Sequence, residues 1–482
     1  NQRLGVDGPA APRTRRGVQS TQLRVLHLRL IRMRLLNASD HRWLSIETDS
    51  NPLQIGALIF LACDGLPADE FVERAKAHLA ARLPLTPWSV RYKASPFHID
   101  SGAWLQIGDV NIDRITSTWQ GSAPITMAEL SKFACEQVLL RLPRDRPLMR
   151  ITFFDNLAPE LRMFGDVAMM VQHHHALADG VGFQNAINAV TDPSPNASTD
   201  TATRPKREHA PLAPVWMAQA MLRARKAKLE DGTHEVQRAE AKAALEQLRS
   251  DPEYKRQRTP EIPGFEGETP RDRVFGFTAF DLPYIKERAR ELGGTVNDLI
   301  MTMVGGAARL HLQSIGVLDD LGDRSLIGLM PRSFRTPADG EYGNYFTMVL
   351  PVLGTHIADH HERFRVVQKS IRAELRRSQL MQESTTQYEK PFTARKRLGP
   401  ETGTSAGNLS ISNVPGPDAT RWFAGYRMVS NYPTPSLAPG QLVNLTLRRY
   451  CNEIHLGMMS EPTKIADLAP FTAQLHQVLE EI

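Results

Sequence analysis

A stretch without hydrophobic periodicity divides this chain into two parts. Residues 191–214, TDPSPNASTDTATRPKREHAPLAP, are rich in Pro, Ser, Thr and Asn, a composition typical of a linker. Residues 215–249 then look helical and charged, and another polar, proline-containing stretch follows. A chain of 482 residues is also too long for one ordinary hydrophobic core. We therefore predict an N-terminal domain over 33–190, a linker with helices over 191–270 and a C-terminal domain over 271–482.

Both predicted domains mix helix and strand patterns. Apolar residues recur at helical spacing in 66–83 and 127–143, whereas FGDVAMMVQHH (164–174) is an apolar run of strand length. In the second part, 281–294 and 295–316 are helical in pattern, and Thr295 is a plausible N-cap. Short strand-like segments follow: RSLIGLMP, YFTMVLPVL, NLSISNVPG, LVNLTLRRY and EIHLGMMS. The expected fold class is α/β (α+β).

Composition excludes several classes of protein. Hydrophobic residues make up 41% and charged residues 23% of the chain, as in a globular protein rather than a disordered one. A net charge of +5 over this length is too small to indicate a nucleic-acid partner. Cys63, Cys135 and Cys451 are far apart and odd in number, which favours reduced thiols and a cytoplasmic location. The longest apolar segments, 55–63 and 347–354, have the length of strands rather than membrane spans.

The first 32 residues differ from the rest. Seven arginines lie within 11–34, interleaved with leucines and without an acidic residue. Such a segment could lie on an anionic lipid surface. The simpler interpretation is a basic N-terminal extension, residues 1–32, that does not belong to the fold.

Three consecutive histidines, in VQHHHALADGVG (171–182), are the residues most suggestive of chemistry. If the strand continued through them, His173 and His175 would share one side and His174 the other. A neutral imidazole can accept a proton from a hydroxyl near pH 7. Asp179 could turn the chain or pair with an arginine. The alternatives are a hydrogen-bonded core histidine, or zinc bound by His173 and His175, for which no completing ligand motif is present.

The segment HHALADG (174–180) resembles the HHxxxDG motif of the acyltransferase superfamily that includes chloramphenicol acetyltransferase and peptide-synthetase condensation domains. Within that superfamily, the chain resembles bacterial wax ester synthase/diacylglycerol acyltransferases from about Met33 to near its C-terminus. The segments that resemble the family, in order, are MRLLNASDHRWLSIETDSNPLQIGAL (33–58), RDRPLMRI (144–151), GGTVNDLIMTMVGGAARLHL (293–312), GNYFTMVLP (343–351) and ISNVPGP (411–417).

This resemblance implies a fold and a mechanism. The fold would be two chloramphenicol-acetyltransferase-like domains, each a mixed sheet with flanking helices, joined by a helical linker, with a tunnel between them. His175 would be the general base that deprotonates an acceptor hydroxyl as it attacks the thioester of acyl-CoA. His174 and Gly180 would shape the backbone, and Asp179 would orient rather than titrate. No covalent acyl-enzyme is required.

The resemblance also implies the partners. The substrates would be acyl-CoA and a lipid alcohol, either diacylglycerol or a fatty alcohol, and no cofactor or metal is expected. The protein would be cytoplasmic and peripherally associated with a membrane or lipid droplets. One departure concerns the acceptor: the family usually has Pro-Leu-Trp where this chain has Pro147-Leu148-Met149.

Two further pairs are candidate substrate-binding residues in the second domain. Asn297 and Asp298 could lie near the tunnel, or could simply start a helix, where such residues are favoured. Ser412 and Asn413 precede Pro415-Gly416-Pro417 and could form a wall of the active site, or only a turn.

Other functions compete with acyl transfer. GTSAG (403–407), with Asp418 and His455 after it, matches a hydrolase nucleophile pattern, but a polar segment precedes it and a strand-like one follows, which is the wrong context. A condensation-type enzyme would use carrier-bound thioesters instead of free acyl-CoA. A non-catalytic protein could bind lipid surfaces through basic segments such as 361–377.

Overall fold

The computed structural model describes most of the chain. The described residues are 34–86, 88–196, 205–231, 235–251, 256–263, 265, 270–336, 339, 343–384 and 406–482. The basic extension predicted over 1–32 and most of the GTSAG segment therefore lie outside the described residues. Within the described ranges, no helix combines the length and apolar character that crossing a bilayer requires.

The first part of the chain alternates strands with helices. Its elements are β1 (Arg34–Leu35), α1 (Ala38–Ser45), β2 (Gln54–Ala62), α2 (Phe71–Arg82), β3 (Val90–Lys93), β4 (Ala103–Gln106), β5 (Thr116–Thr118), α3 (Met127–Val138), β6 (Met149–Phe154), β7 (Val167–His174) and α4 (Gly180–Val190).

Two helices follow in the predicted linker, and then the second part begins. Its elements are α5 (Ala213–Asp231), α6 (Glu235–Ser250), β8 (Val274–Asp281), α7 (Leu282–Glu291), α8 (Val296–Ser314), β9 (Gly328–Ser333), β10 (Phe346–Val349), α9 (His360–Ser384), β11 (Leu409–Val414), β12 (Trp422–Phe423), β13 (Tyr426–Thr434), β14 (Val443–Tyr450), β15 (Glu453–Ser460) and α10 (Leu468–Glu481).

The larger sheets each have six strands. The first has the order β12-β13-β2-β7-β6-β5 and the second β10-β9-β11-β14-β15-β8, while β1, β4 and β3 form a small third sheet. Both large sheets mix parallel and antiparallel pairs. The predicted α/β fold with two sheet-containing domains is therefore confirmed.

One segment of the second part lies in the first sheet. Strand β13 pairs with β2 over seven residue pairs, from Arg427↔Ala62 to Thr434↔Gly56, and β12 extends the same edge. The two sheets belong to one compact unit, Met33–Ile482. The domain boundaries at 190 and 271 stay a prediction. Strands β12 and β13 of the first sheet lie along the chain between β11 and β14 of the second sheet, so the chain crosses between the two sheets here.

Capping residues explain where key helices begin. The Thr295 side chain accepts a hydrogen bond from the backbone N–H of Asp298, and the Asp298 carboxylate accepts one from the backbone N–H of Thr295. This capping box fixes the start of α8 and confirms Thr295 as its N-cap. Thr126 and Glu129 cap α3 in the same way.

Strand β7 lies inside the first sheet, between β2 and β6. All its residues, Val167 to His174, are buried, because neighbouring strands cover both edges and helices or the second sheet cover both faces. The chain leaves the sheet at His175 and enters α4 at Gly180. The first sheet therefore holds the start of the histidine motif rigidly.

Candidate functional site

His175 lies just beyond the end of β7, where a long-range hydrogen bond fixes its ring. Nδ1 of His175 is 2.9 Å from Oδ1 of Asn344, which lies 169 residues later in the chain. Nδ2 of the same amide donates to Oδ1 of Asp40 at 2.8 Å and to the carbonyl of His175 at 2.8 Å. Only the NH₂ group of Asn344 can donate to these two acceptors, so they fix which end of the amide is nitrogen. The remaining Oδ1 of Asn344 must then accept a hydrogen bond from the imidazole.

The proton on His175 is therefore on Nδ1, and Nε2 carries the lone pair. Within the described part of the chain, no hydrogen bond engages Nε2. Asp40 strengthens the arrangement, since its Oδ1 also accepts from the backbone N–H of Asn344 at 2.9 Å. The hydrogen-bonded series of Asp40, Asn344 and His175 therefore selects the imidazole tautomer that a general base needs.

Aromatic rings enclose the His175 ring. The indole of Trp43 stacks on it with 4.2 Å between ring centroids and 13° between planes, and Phe346 lies 5.8 Å away. His175 as a whole residue is only partly buried. Burial lowers the pKa of His175 below its usual value, against smaller opposing effects of its own carbonyl, Asp179 and Asn344. The imidazole is thus neutral near pH 7.

Asp179 joins the motif to the second part of the chain. It is the N-cap of α4, and its Oδ1 accepts from the backbone N–H of Gly182 at 2.8 Å. One terminal nitrogen of Arg335 donates to both carboxylate oxygens, at 3.1 and 3.0 Å, and the backbone N–H of Tyr345 donates to Oδ2 at 3.1 Å. Arg335 is thus the arginine partner that the sequence could not identify. These hydrogen bonds hold the carboxylate in one position, which suits an orienting residue.

Two glycines make room for these contacts. Gly343 has φ +88°, a left-handed conformation that favours glycine, and its carbonyl accepts from Arg335 at 2.7 Å. At Gly180 a Cβ would lie 2.7 Å from Cγ2 of Val414, too close for a real contact. Gly180 therefore lets α4 approach β11 of the second sheet.

The other two histidines are buried and neutral. Burial lowers the pKa of His173 to about 3, and its Nε2–H donates to the carbonyl of Ala178 at 3.2 Å. Its ring packs against Trp88 and Phe183, with centroids 5.6 and 4.7 Å away. His173 thereby closes the turn that presents His175.

His174 lies on the opposite face of β7. Its Nδ1 accepts from the backbone N–H of Ala176 at 3.0 Å, and its Nε2 lies 4.0 Å from the carboxylate of Glu47. Burial holds its pKa well below the usual value. Because β7 ends at His174, the strand alternation expected for His173 and His175 does not extend to His175, and the two rings contact different neighbours.

The structure brings together part of the second-domain set. Nδ2 of Asn413, on β11, donates to Oδ1 of Asn297 at 2.8 Å, and both residues are exposed. Asp298 is buried, and its Oδ2 accepts from the backbone N–H and the hydroxyl of Thr295 at 2.8 and 2.9 Å. Its carboxylate is thus used in the capping box. Ser412 is partly exposed beside Asn413. A role in substrate binding for these four residues stays a prediction.

Met149 lies beside the motif in β6, where it pairs with His173 and is buried. The carbonyl of Leu148 accepts from the backbone N–H of His174 at 2.9 Å. The departure from Pro-Leu-Trp therefore falls on a residue next to the candidate site.

The residues of two rival functions have other partners. Nδ1 of His455 accepts from the backbone N–H of Asn431 at 3.0 Å and its Nε2–H donates to Glu453, so both nitrogens are engaged. Asp418 pairs with Arg449. In α9, Arg363 and Arg377 of the segment 361–377 are buried, so this segment is not the uniformly exposed basic surface that its sequence indicates.

A cavity of about 890 Å³ lies between α3, β8 and the start of α10. Its lining includes Leu140, Phe164, Phe275, Phe277 and Leu468. The carbonyl of Leu140 accepts from Gln54, which pairs with His174 in the first sheet, so one wall of the cavity borders the motif strand. The described lining residues do not include the motif itself, and the tunnel stays a prediction.

Residue-by-residue reasoning missed several members of the site. Asp40 and Trp43 lie three residues apart on one face of α1, within the segment 33–58, whose resemblance to a family is noted above. Asn344 and Tyr345 lie in the similar segment 343–351. The resemblance of these two segments to the family could have indicated the residues. Their contacts with His175 and Asp179, however, depend on the fold.

Comparisons with known proteins cover nearly the whole described chain. Residues 36–300 match the model of the wax ester synthase/diacylglycerol acyltransferase catalytic domain, and residues 342–482 match that of the WS/DGAT C-terminal domain. The chain is 24% identical to an O-acyltransferase WSD of Acinetobacter baylyi over 89% of this chain and 92% of that protein.

Solved structures share the fold. The wax ester synthase/diacylglycerol acyltransferase from Marinobacter aquaeolei VT8 aligns over 93% of this chain and 98% of that chain, with a TM-score of 0.60 and 20% identity. The condensation domain of the monacolin K polyketide synthase aligns over 93% of this chain and 96% of that chain, with a TM-score of 0.53 and 14% identity.

Proposed function

The chain belongs to the wax ester synthase/diacylglycerol acyltransferase family, and from this premise we propose that it moves a long-chain acyl group from acyl-CoA to a lipid alcohol, with His175 as the general base. The acceptor is diacylglycerol, giving triacylglycerol, or a fatty alcohol, giving a wax ester. The free Nε2 of His175 is the observation on which the proposal depends.

The reaction follows from the state of this ring. Nε2 takes the proton of the acceptor hydroxyl while that oxygen forms a bond to the thioester carbonyl carbon. The carbon–sulfur bond then breaks, and the leaving CoA thiolate takes up the proton from the imidazolium. The histidine returns to its starting state, so no covalent acyl-enzyme is needed.

The surrounding residues position the base. Asn344 and Asp40 hold the proton on Nδ1, and the Trp43 ring restricts rotation of the imidazole. The Asp179–Arg335 pair fixes the start of α4 and the backbone at Tyr345, next to Asn344. Such prior orientation lowers the barrier because the base need not reorganise in the transition state.

The cavity between α3, β8 and the start of α10 supports a lipid-sized substrate. Its volume of about 890 Å³ is within the range of roughly 300–1,000 Å³ typical of ligand sites. Three phenylalanines and three leucines in its lining suit a hydrocarbon chain, and charged residues such as Lys132 and Arg271 line it as well. We place one substrate chain there, and we place the protein peripherally at a lipid surface that supplies the alcohol.

Product analysis tests the proposal. The purified protein is offered palmitoyl-CoA with hexadecanol and, in parallel, with dipalmitin, and the products are separated by thin-layer chromatography. Wax ester or triacylglycerol is the expected product. Absence of both esters would contradict the proposal, and ester formation only from a carrier-bound thioester would favour a condensation-type enzyme.

A further inference from the structure

Helix α5 and the neighbouring turn Pro96–His98 expose an apolar surface that the catalytic site does not use. We propose that this surface, made of Phe97, Leu212, Met221 and Leu222 with Arg225 beside them, docks the enzyme on an anionic phospholipid surface. The inference rests on the proposed function, because a lipid alcohol must be reached where it resides. We call these five residues the docking patch.

The inner side of α5 is firmly attached to the first part of the chain. Trp216 is buried against Ala103 and Leu105 of β4, and its indole N–H donates to Oδ2 of Asp100 at 2.9 Å. Two turns further on, Arg223 donates to the same oxygen at 2.9 Å. Asp100 thus fixes the rotation of α5 about its axis, which decides the residues that face outward.

Over residues 214–222, the outer side of α5 is apolar where a surface helix is normally polar. The exposed positions Pro214, Ala218, Met221, Leu222 and Arg225 recur at helical spacing. Met221 is 68% exposed and Leu222 60% exposed, while Leu212, immediately before the helix, is 78% exposed. Among the described residues, the side of α5 that packs against the protein is the one with Trp216, so packing does not explain these apolar side chains.

The turn beside α5 adds a fourth apolar side chain. Phe97 is 80% exposed, and both Phe97 and His98 have positive φ angles, of 52° and 53°. Non-glycine residues rarely adopt this conformation, and two in succession indicate that the surrounding structure imposes it. Hydrogen bonds of the Ser95 hydroxyl to the backbone of Asp100 close the loop, and Asp100 also binds α5.

The charges around the patch favour an anionic lipid as the partner. The cations Arg225 and Lys93 are exposed, whereas the carboxylate of Asp100 is paired with Arg223. Apolar side chains beside basic ones match the boundary between acyl chains and phosphate headgroups, where the apolar groups insert and the cations face phosphate. If this surface bound a protein instead, vesicle binding would show no preference for anionic lipid.

Vesicle co-sedimentation tests the docking patch. The full-length protein is mixed with vesicles of phosphatidylcholine and phosphatidylglycerol at 3:1, or of phosphatidylcholine alone. The test variants are Met221→Ser/Leu222→Ser and Phe97→Ser. Met163→Ser is the matched control, because Met163 is as exposed as Phe97, at 80%, but lies in the turn after Leu161, outside the docking patch. We expect the double variant to bind anionic vesicles about tenfold more weakly and the control to bind like the wild type.

Further measurements separate this inference from the proposed function. His175→Ala should bind vesicles like the wild type, because the docking patch does not include the catalytic site. The patch variants should keep wild-type activity with short, water-soluble alcohols and lose it with diacylglycerol in anionic vesicles. Unchanged vesicle binding of the Met221→Ser/Leu222→Ser variant, or equal wild-type binding to neutral and anionic vesicles, would overturn the inference.

Discussion

Nδ1 of His175 lies 2.9 Å from Oδ1 of Asn344, and the amide nitrogen of that asparagine donates to Asp40. A carboxylate, an amide and an imidazole thus form a hydrogen-bonded series that ends at the base. Each member lies in a different segment, α1, the loop before β10 and the end of β7. The site therefore requires both parts of the chain to be folded together.

Replacing Asn344 should impair catalysis. In Asn344→Ala, no amide oxygen holds the proton on Nδ1, so the tautomer with a free Nε2 is less populated and the ring less restrained. We expect kcat to fall about 10- to 100-fold while KM changes little, because an orienting partner of a catalytic histidine is lost. Initial ester formation from palmitoyl-CoA measures this. Asn452→Ala, in an exposed turn, is the control, and equal rates for both variants would exclude the positioning role.

The pH profile should reflect the lowered pKa of His175. Only the neutral ring can act as a base, so kcat/KM falls when the pH drops through the pKa of the ring. Burial lowers this pKa below 6.5, the ordinary value of a histidine. The acid limb should therefore lie below pH 6.5, with a plateau from there to about pH 8. A midpoint above 6.5 would mean that the ring is not buried as described.

The pair between Arg335 and Asp179 should matter for stability as well as activity. Both side chains are nearly buried, at 12% and 7% exposed, so Arg335→Ala leaves a buried carboxylate without its cation. We expect a loss of about 3–5 kcal/mol in the free energy of unfolding, together with loss of activity. The exposed pair of Arg427 and Asp64 is the matched control, and Arg427→Ala should cost about 1 kcal/mol or less. Similar losses in thermal unfolding for both variants would contradict this account.

Gly180 should tolerate a side chain only if β11 makes room. The added Cβ of Gly180→Ala would lie 2.7 Å from Val414, so the variant should lose about 1–3 kcal/mol and much of its activity. The double variant Gly180→Ala/Val414→Ala should recover activity relative to Gly180→Ala. If it does not recover, the requirement for glycine comes from something other than packing on Val414.

The local features of the site were predictable from the sequence. The apolar run before the histidines predicts β7, and Thr295 predicts the start of α8, because strand burial and capping depend on neighbouring residues. The resemblance of HHALADG to HHxxxDG indicates which histidine to examine.

Long-range relationships were not predictable in this way. Asn431 and Pro433 interrupt the strand pattern of β13, and its pairing with β2, a strand from the first part of the chain, depends on the whole fold. The contact of Asn344 with Asp40 joins residues 304 positions apart. Arg335 is one of many arginines in the chain, and only the fold selects it as the partner of Asp179.

Ester formation by His175→Ala tests the central claim most directly. The variant and the wild type are compared with palmitoyl-CoA and the preferred alcohol, after circular dichroism has shown that both are folded. General-base catalysis by Nε2 predicts a fall in kcat of about 10²- to 10⁴-fold with vesicle binding unchanged. A folded variant that forms ester at the wild-type rate would contradict the assignment of His175 as the base.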